Sequence, residues 1–295
     1  MNAGTPPPDL EDSLRRFLAE DLGGGDVTAE SVVPAQARAR GDVRLKAHGV
    51  LAGADLAEPI VRLLDPGARA EAALRDGTVV DPGTTAVTLF ADARALLAAE
   101  RTLINLMQRM SGIATLTRRY VEAVAGCDVA ILDTRKTAPG LRWFDKRAVV
   151  AGGGVNHRRG LDDQILIKSN HLIFGVDPDG RRPIERIVAA ARAGAPRGTP
   201  LQIEVFDAAE AVRAAEAGAE LVLLDNFSPA QVRSAVAEVR RRFSRERVGL
   251  EASGGITLEN VRAFAEAGVD RISIGALTHS APALDLSLAV RVEAA

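Results

Sequence analysis

The sequence predicts an α/β protein built as a closed or nearly closed β/α barrel, with an α+β domain ahead of it. Two observations carry this. From Val129 onward, short apolar runs at 129–135, 164–168, 201–206, 220–225, 248–252 and 271–274 are mostly separated by segments rich in Ala, Arg and Glu, at 184–193, 208–217, 229–242 and 258–267. Apolar strands alternating with amphipathic helices indicate a parallel sheet covered by helices. The second observation is that polar residues recur at one place, at or just past the C-terminal end of each run: Arg135 and Lys136, Lys168, Glu204, Asp225, Ser253 to Gly255, and Gly275. In a barrel those ends converge on one mouth, where sites of this fold lie, which favours a barrel over an open doubly wound sheet.

Ahead of the barrel the pattern is mixed. A helix is expected over 10–22, ended by Gly23 to Gly25. Short β-like runs follow at 43–47, 49–52, 78–80 and 86–90, divided by Asp76-Gly77 and Asp81-Pro82-Gly83 turn signals. A long helix is expected over 91–120, with Leu103, Leu106, Met107 and Met110 at helical spacing on one side. Arg101, Asn105 and Arg109 recur on its other face, either as a solvated polar stripe or with Arg101 reaching a ligand, in a neighbouring subunit for example. The expected division is an N-terminal α+β domain over 1–112 and a barrel domain over 113–280 that carries the active site.

Composition narrows the function. With 37 basic and 39 acidic residues and a net charge of -2, the chain has no global positive field to suggest nucleic acid or an anionic membrane as partner. No apolar run approaches the roughly 20 residues that span a bilayer. The Pro-rich start lacks a positive beginning and an apolar stretch, so it does not read as a signal peptide and the expected location is the cytoplasm. The single cysteine, Cys127, excludes an intrachain disulfide and a multi-thiolate metal site and is expected as a small buried hydrophobe. His48, His157, His171 and His279 are too scattered for a zinc pattern. Neither a nucleotide P-loop nor a dinucleotide fingerprint is present.

The strand-end residues point to an anionic ligand. Arg135 and Arg158 are candidates to grip carboxylates, because a guanidinium presents a planar fork and keeps its charge when desolvated; pairing with rim acids is the alternative. Lys136 and Lys168 suit a polyphosphate or an anionic leaving group. Glu204 and Asp225 are acids in apolar strands, where acids are rare unless paired or used. They could hold sugar hydroxyls, a Mg2+ ion or a cationic ribosyl centre, or form ion pairs with Lys136 and Lys168. Ser253-Gly254-Gly255, with a helix expected to start near Thr257, and Gly275-Ala276 offer backbone N–H groups to a phosphate.

Ordered motifs then match a known family nearly end to end: Glu20-Asp21-Leu22-Gly23, Gly49 to Gly53, Glu100-Arg101-Thr102, Ser111 to Thr115, Asp133-Thr134-Arg135-Lys136-Thr137, Gly152 to Arg158, Lys168 with Asn170-His171, Glu204-Val205, Leu224-Asp225-Asn226, Ser253 to Ile256 and Ile274 to His279. By these the chain resembles the quinolinate phosphoribosyltransferases. The resemblance implies transfer of a phosphoribosyl group from phosphoribosyl pyrophosphate to quinolinate, with loss of pyrophosphate and CO2, giving nicotinate mononucleotide for NAD synthesis. It implies an incomplete α/β barrel and an N-terminal α+β sandwich rejoined by residues 281–295, Mg2+ as cofactor, and a homodimer. Carried over, Arg135, His157, Arg158 and Lys168 would surround quinolinate's carboxylates, with Arg101 from the partner subunit, and Thr134 would be a further substrate-binding residue. Lys136, Lys168, Glu204 and Asp225 contact the donor, and Ser253, Gly254, Gly255, Gly275, Ala276 and His279 hold its 5'-phosphate. The sequence departs from the family at Ser169, where Asp or Glu is usual, and at Ala138, where Thr is usual. The rival readings are a related phosphoribosyltransferase with another substrate, a non-catalytic phosphate-binding barrel, and an aldolase-type barrel using Lys168 as a Schiff base.

Overall fold

The structure is a computed structural model, and it describes residues 9–71, 73–175 and 182–293. The Pro-rich start, residues 1–8, and the last two positions of 281–295 lie outside the described residues. The strands are β1 (Arg38–Leu45), β2 (Gly49–Val50), β3 (Arg69–Glu71), β4 (Val79–Val80), β5 (Thr85–Asp92), β6 (Ala130–Leu132), β7 (Ile165–Ile167), β8 (Leu201–Val205), β9 (Leu221–Asp225), β10 (Gly249–Ser253), β11 (Arg271–Ser273) and β12 (Leu286–Val292). The chain forms two compact units. One comprises Met1–Arg118, Thr137–Gly153 and Ala276–Ala295; the other comprises Arg119–Lys136 and Gly154–Gly275.

The first unit is built on an antiparallel sheet in the order β12-β1-β5-β3. Register places Val43 opposite Val87 and Leu288, so β-branched and leucine side chains share the face that Val43, Leu45, Val87 and Leu89 bury completely or nearly so. The helix Leu10–Leu22 has the predicted bounds, buries Leu14 and Leu18, and ends at Gly23. The long helix runs Ala93–Ala123 and buries Leu96, Leu103, Met107 and Met110 along one stripe. Its opposite face is not a uniform solvated stripe: Arg101 and Asn105 are exposed, whereas Arg109 grips the fully buried Asp145 with Nε and Nη2 at 2.7 and 2.8 Å.

In the second unit six parallel strands run β6-β11-β10-β9-β8-β7. Each strand from β7 to β11 pairs with its neighbour in sequence, and the last of them pairs with β6, the first. That cyclic order is a barrel opened between β6 and β7, with no ladder joining those two among the described residues. Helices Ile184–Gly194, Ala208–Glu216, Pro229–Arg240 and Val261–Glu266 fill the crossovers. Val155 forms an isolated parallel bridge to Leu132, donating its N–H to Ile131 O at 2.8 Å and accepting from Asp133 N at 3.3 Å.

The strands are shorter than the apolar runs predict. β6 stops at Leu132, so Arg135 and Lys136 lie on the loop beyond it, and Lys168 follows the end of β7. Cys127 is half-buried, not a core residue, because it falls in the turn after the long helix.

Candidate active site

Within the barrel unit two groups of charges form at the strand ends. The first is cationic. Arg158 donates from Nη1 to the carbonyl of Gln164 at 2.9 Å. Burial, and then the neighbouring positive charge of Arg135, hold its guanidinium below its ordinary value, against the opposing pull of Asp163. Arg135 is half-buried, and its buried Nε has no hydrogen-bond partner among the described residues. Two guanidiniums that repel one another, one with an orphaned buried donor, make a site that an anion would complete. The nearby loop is set by Asp133, fully buried, whose Oδ1 accepts from the His157 backbone N–H at 2.8 Å. Thr134 Oγ1 accepts from the Lys136 backbone N–H at 3.1 Å, which folds the loop tightly after β6.

The second group is acidic with cations beside it. Asp225 ends β9 half-buried; its Oδ2 accepts from Asn226 Nδ2 at 2.7 Å. Burial, and then the charge of Glu204, raise its carboxyl above the ordinary value, while Asn226, Lys168 and Lys136 oppose the shift. Lys136, Lys168, Glu204 and Asp225, named separately from the sequence, are therefore within electrostatic reach of one another. Glu204 is buried in β8, and its Oε1 accepts from the Ser169 backbone N–H at 3.1 Å. Ser169 thus meets the acid through its backbone.

The glycine segment after β10 has a specific shape. Gly254 and Gly255 have φ of 92° and 61°, and a Cβ on Gly254 would lie 2.2 Å from Asn226 Oδ1, so the turn accepts no side chain there. Asn226 itself has φ 56° and donates its N–H to Ser253 O at 2.9 Å. The helix expected from Thr257 begins instead at Val261, with Asn260 as its N-cap. Asn260 explains the delay: its Oδ1 accepts from Thr257 N at 2.8 Å and its Nδ2 donates to Gly255 O at 3.0 Å, closing a turn where the helix was expected. The segment's anion capacity rests on glycine backbone, not on a helix dipole.

Gly275 ends the barrel unit, and the remaining predicted residues belong to the first compact unit. Ala276 and His279 follow Gly275 along the chain but fall in the first compact unit; they open and close the short helix Ala276–His279, and His279 Nδ1 lies 2.6 Å from Ser280 Oγ. Arg101 is also in the first unit, its side chain 57% exposed and paired with Glu100. His48 is an exposed partner of Asp81 at 2.7 Å.

Sequence reasoning missed a buried polar layer beneath the mouth: Gln164, Gln202 and Glu251, the last two fully buried. Glu251 interrupts an apolar strand as Glu204 does, so the same signal was available. His157, expected to face a ligand, is only 8% exposed, and both ring nitrogens have protein neighbours: Nδ1 accepts from Arg158 N at 2.8 Å and Nε2 lies 3.3 Å from Glu251 Oε1.

Comparison with known proteins gives the family. The family models for the N-terminal and C-terminal domains of quinolinate phosphoribosyl transferase match residues 26–111 and 113–289. The chain is 44% identical to the nicotinate-nucleotide pyrophosphorylase [carboxylating] of Mycobacterium leprae, covering 94% of this chain and 95% of that protein. It is 40% identical to the probable enzyme of the same name from Methanothermobacter thermautotrophicus, over 96% and 99% of the two chains. The crystal structure of NadC from Streptococcus pyogenes superposes with a TM-score of 0.90 at 33% identity, covering 98% of this chain and 99% of that one. With both domain models and relatives of this identity spanning nearly its whole length, the chain belongs to the quinolinate phosphoribosyl transferase family.

Proposed function

We propose that this chain transfers the phosphoribosyl group of phosphoribosyl pyrophosphate to quinolinate and decarboxylates the product, giving nicotinate mononucleotide, pyrophosphate and CO2 for NAD biosynthesis. The observation that carries the reading is the adjacent Arg135 and Arg158, one with an unpartnered buried Nε, which suits a dicarboxylate. A charged hydrogen bond contributes about 1.5 to 3 kcal/mol net, so two forks discriminate a diacid from a monoacid strongly. Lys136 and Lys168 face the leaving pyrophosphate, and Ser253 to Gly255 with Gly275 cradle the 5'-phosphate, Ala276 and His279 coming next along the chain.

The chemistry is positioning and electrostatics. The pyridine nitrogen forms its bond to C1' as the bond to pyrophosphate breaks, and Glu204 and Asp225 face the positive charge that develops on the ribose. The product is a pyridinium; its ring accepts the electron pair of the adjacent carbon–carboxylate bond, CO2 leaves, and a proton takes its place. Arg135 and Arg158 hold the ring through both steps.

Glu204 and Asp225, one buried and one half-buried acid whose charges oppose one another, suit a hard cation shared with donor oxygens, which is how Mg2+ is usually held. No group of three or more acidic, His or Cys ligands exists among the described residues, so most of its coordination would come from the donor and water. Mg2+ when bound offsets charge on the pyrophosphate. The protein acts as a homodimer in which the exposed Arg101 reaches the partner's site, and it works in the cytoplasm; among the described residues no helix is long and apolar enough to cross a membrane.

The test is incubation with quinolinate, phosphoribosyl pyrophosphate and Mg2+, following nicotinate mononucleotide and CO2. Both form in equal amounts, and nicotinate in place of quinolinate reacts poorly. Failure of quinolinate to react, or borohydride trapping of a carbonyl substrate on Lys168, overturns the reading.

A further inference from the structure

The buried layer below the mouth is a chain of hydrogen bonds and one close electrostatic contact that starts and ends at Arg158. Arg158 Nη1 donates to Gln164 O at 2.9 Å. The Gln164 side chain donates from Nε2 to Gln202 Oε1 at 2.9 Å, and Gln202 Nε2 donates to Glu251 Oε2 at 3.1 Å. The other carboxylate oxygen, Oε1, lies 3.3 Å from His157 Nε2, and His157 Nδ1 accepts the backbone N–H of Arg158 at 2.8 Å. The path thus leaves Arg158 by its guanidinium and returns to its backbone, crossing β8 and β10 on the way. All its side chains except that of Arg158 are buried, and Glu251 and Gln202 completely so.

The donors run in one consistent sense. The Arg158 N–H assigns His157 the tautomer with its proton on Nε2, the ring nitrogen that lies 3.3 Å from Glu251 Oε1. Glu251 Oε2 accepts from Gln202, while the buried Oε1 has the His157 ring edge beside it at 3.3 Å and makes no hydrogen bond among the described residues. Arg271 Nε, 3.6 Å from Oε2, adds a further positive neighbour. Burial alone would raise the Glu251 carboxyl; His157, Arg271 and Ser273 outweigh it and hold the group below its ordinary value, in keeping with a carboxylate there.

We propose that Glu251 is a positioning residue for quinolinate: through Gln202 and Gln164 on one side and His157 on the other, it fixes where Arg158 points, without touching either substrate. His157 belongs to the same circuit and acts through its hold on Arg158. The proposal rests on Arg158 as a quinolinate contact. It separates the two substrates, because the ring contains none of Lys136, Lys168, Asp225 or the glycine cradle.

The test is Glu251→Gln, nearly isosteric, in which one amide donor must confront either His157 Nε2–H or the Gln202 amide. KM for quinolinate is expected to rise by about tenfold to a hundredfold, the loss that small misplacements of a clamp produce, with KM for phosphoribosyl pyrophosphate changed by less than about twofold. In an Arg158→Lys background the same substitution adds less than about twofold, since coupled residues are not additive. Equal rises for both substrates, full additivity with Arg158→Lys, or unchanged kinetics overturn the proposal. An Arg158→Lys variant with wild-type quinolinate KM removes the clamp assignment itself, which distinguishes that failure from failure of the ring alone. Should Glu251→Gln not fold, Gln202→Met carries the same expectation. Nitrogen-15 spectra of the wild type are expected to give His157 the Nε2-protonated form, and the other tautomer breaks the ring.

Discussion

Asp42, buried, and Asp225, half-buried, show how differently one fold sets two acids. Asp42 lies in β1 directly opposite Thr88 of β5, is 2% exposed, and accepts from Thr88 Oγ1 at 2.9 Å and Arg40 Nε at 3.1 Å, with Arg44 beside it. Burial pushes its carboxyl up, and Thr88, Arg40 and Arg44 outweigh that, so it titrates below its ordinary value. Asp225 sits at a strand end facing another acid, and burial with Glu204 leaves its carboxyl above the ordinary value. The first acid has had its charge met by the fold. The second keeps a raised carboxyl despite Asn226, Lys168 and Lys136, a perturbation that suits the ligand-facing role proposed for it.

The largest expected effect comes from removing the Asp225 charge. Asp225→Asn should lower kcat by about a hundredfold to a thousandfold, the range typical for a lost electrostatic contact in a transition state. The same variant should be more stable than the wild type at pH 7. A raised folded value means that the ionised form is disfavoured in the fold, so the gain is full above that value and vanishes as pH falls toward about 3.9, where the acid is protonated in both states. Thermal denaturation across pH measures this; a variant less stable than the wild type, or one with wild-type kcat, would reverse the contrast.

Next is Arg135→Ala, which should raise the quinolinate requirement by about tenfold or more, corresponding to roughly 1.5 to 3 kcal/mol, and the donor requirement much less. Equal effects on both substrates in steady-state kinetics would show the clamp to be wrongly assigned. Asp42→Ala should lower stability by about 2 kcal/mol while leaving kcat intact. Its pH dependence has the opposite sign: stability from a lowered acid is fully present above about 3.9 and is lost as pH falls through the folded value, so wild type and variant converge in acid. Parallel denaturation curves at pH 7 and at pH 3 would contradict this. The smallest effect is expected for Ser169→Asp, which places a third acid near Glu204 and should shift the Mg2+ titration of activity; an unchanged titration removes any metal-side role for that position.

Much of this was legible because strand ends in a β/α barrel converge. Periodicity located the six parallel strands and the helix at Leu10–Leu22, and acids or lysines interrupting apolar runs marked Lys136, Lys168, Glu204 and Asp225. What stayed hidden depended on side-chain partners. Arg-Ala-Glu in β3 carries too little apolar pattern to read as a strand. Thr257 looked like an N-cap because Ser and Thr are, and only Asn260, bonding back to both Thr257 and Gly255, shows why the helix waits. Gln164, Gln202 and Glu251 were passed over because their contacts join two strands, β8 and β10, with the residue ahead of β7, and are visible in no one of those segments. Arg109 likewise reads as solvated until Asp145, distant in sequence, is seen against it.

The bridge between Leu132 and Val155 has a further consequence for how this protein could be altered. Surface loops usually tolerate insertions, because lengthening them adds little closure entropy. Here the glycine-rich connection has become, at one residue, a stub of strand paired to the border strand β6, and Arg158, proposed above as a carboxylate contact, follows only three positions later. Any change in its length would uncover that border and swing the arginine away together, so redesign of this enzyme's acid preference is confined to exchanging side chains on an unaltered backbone.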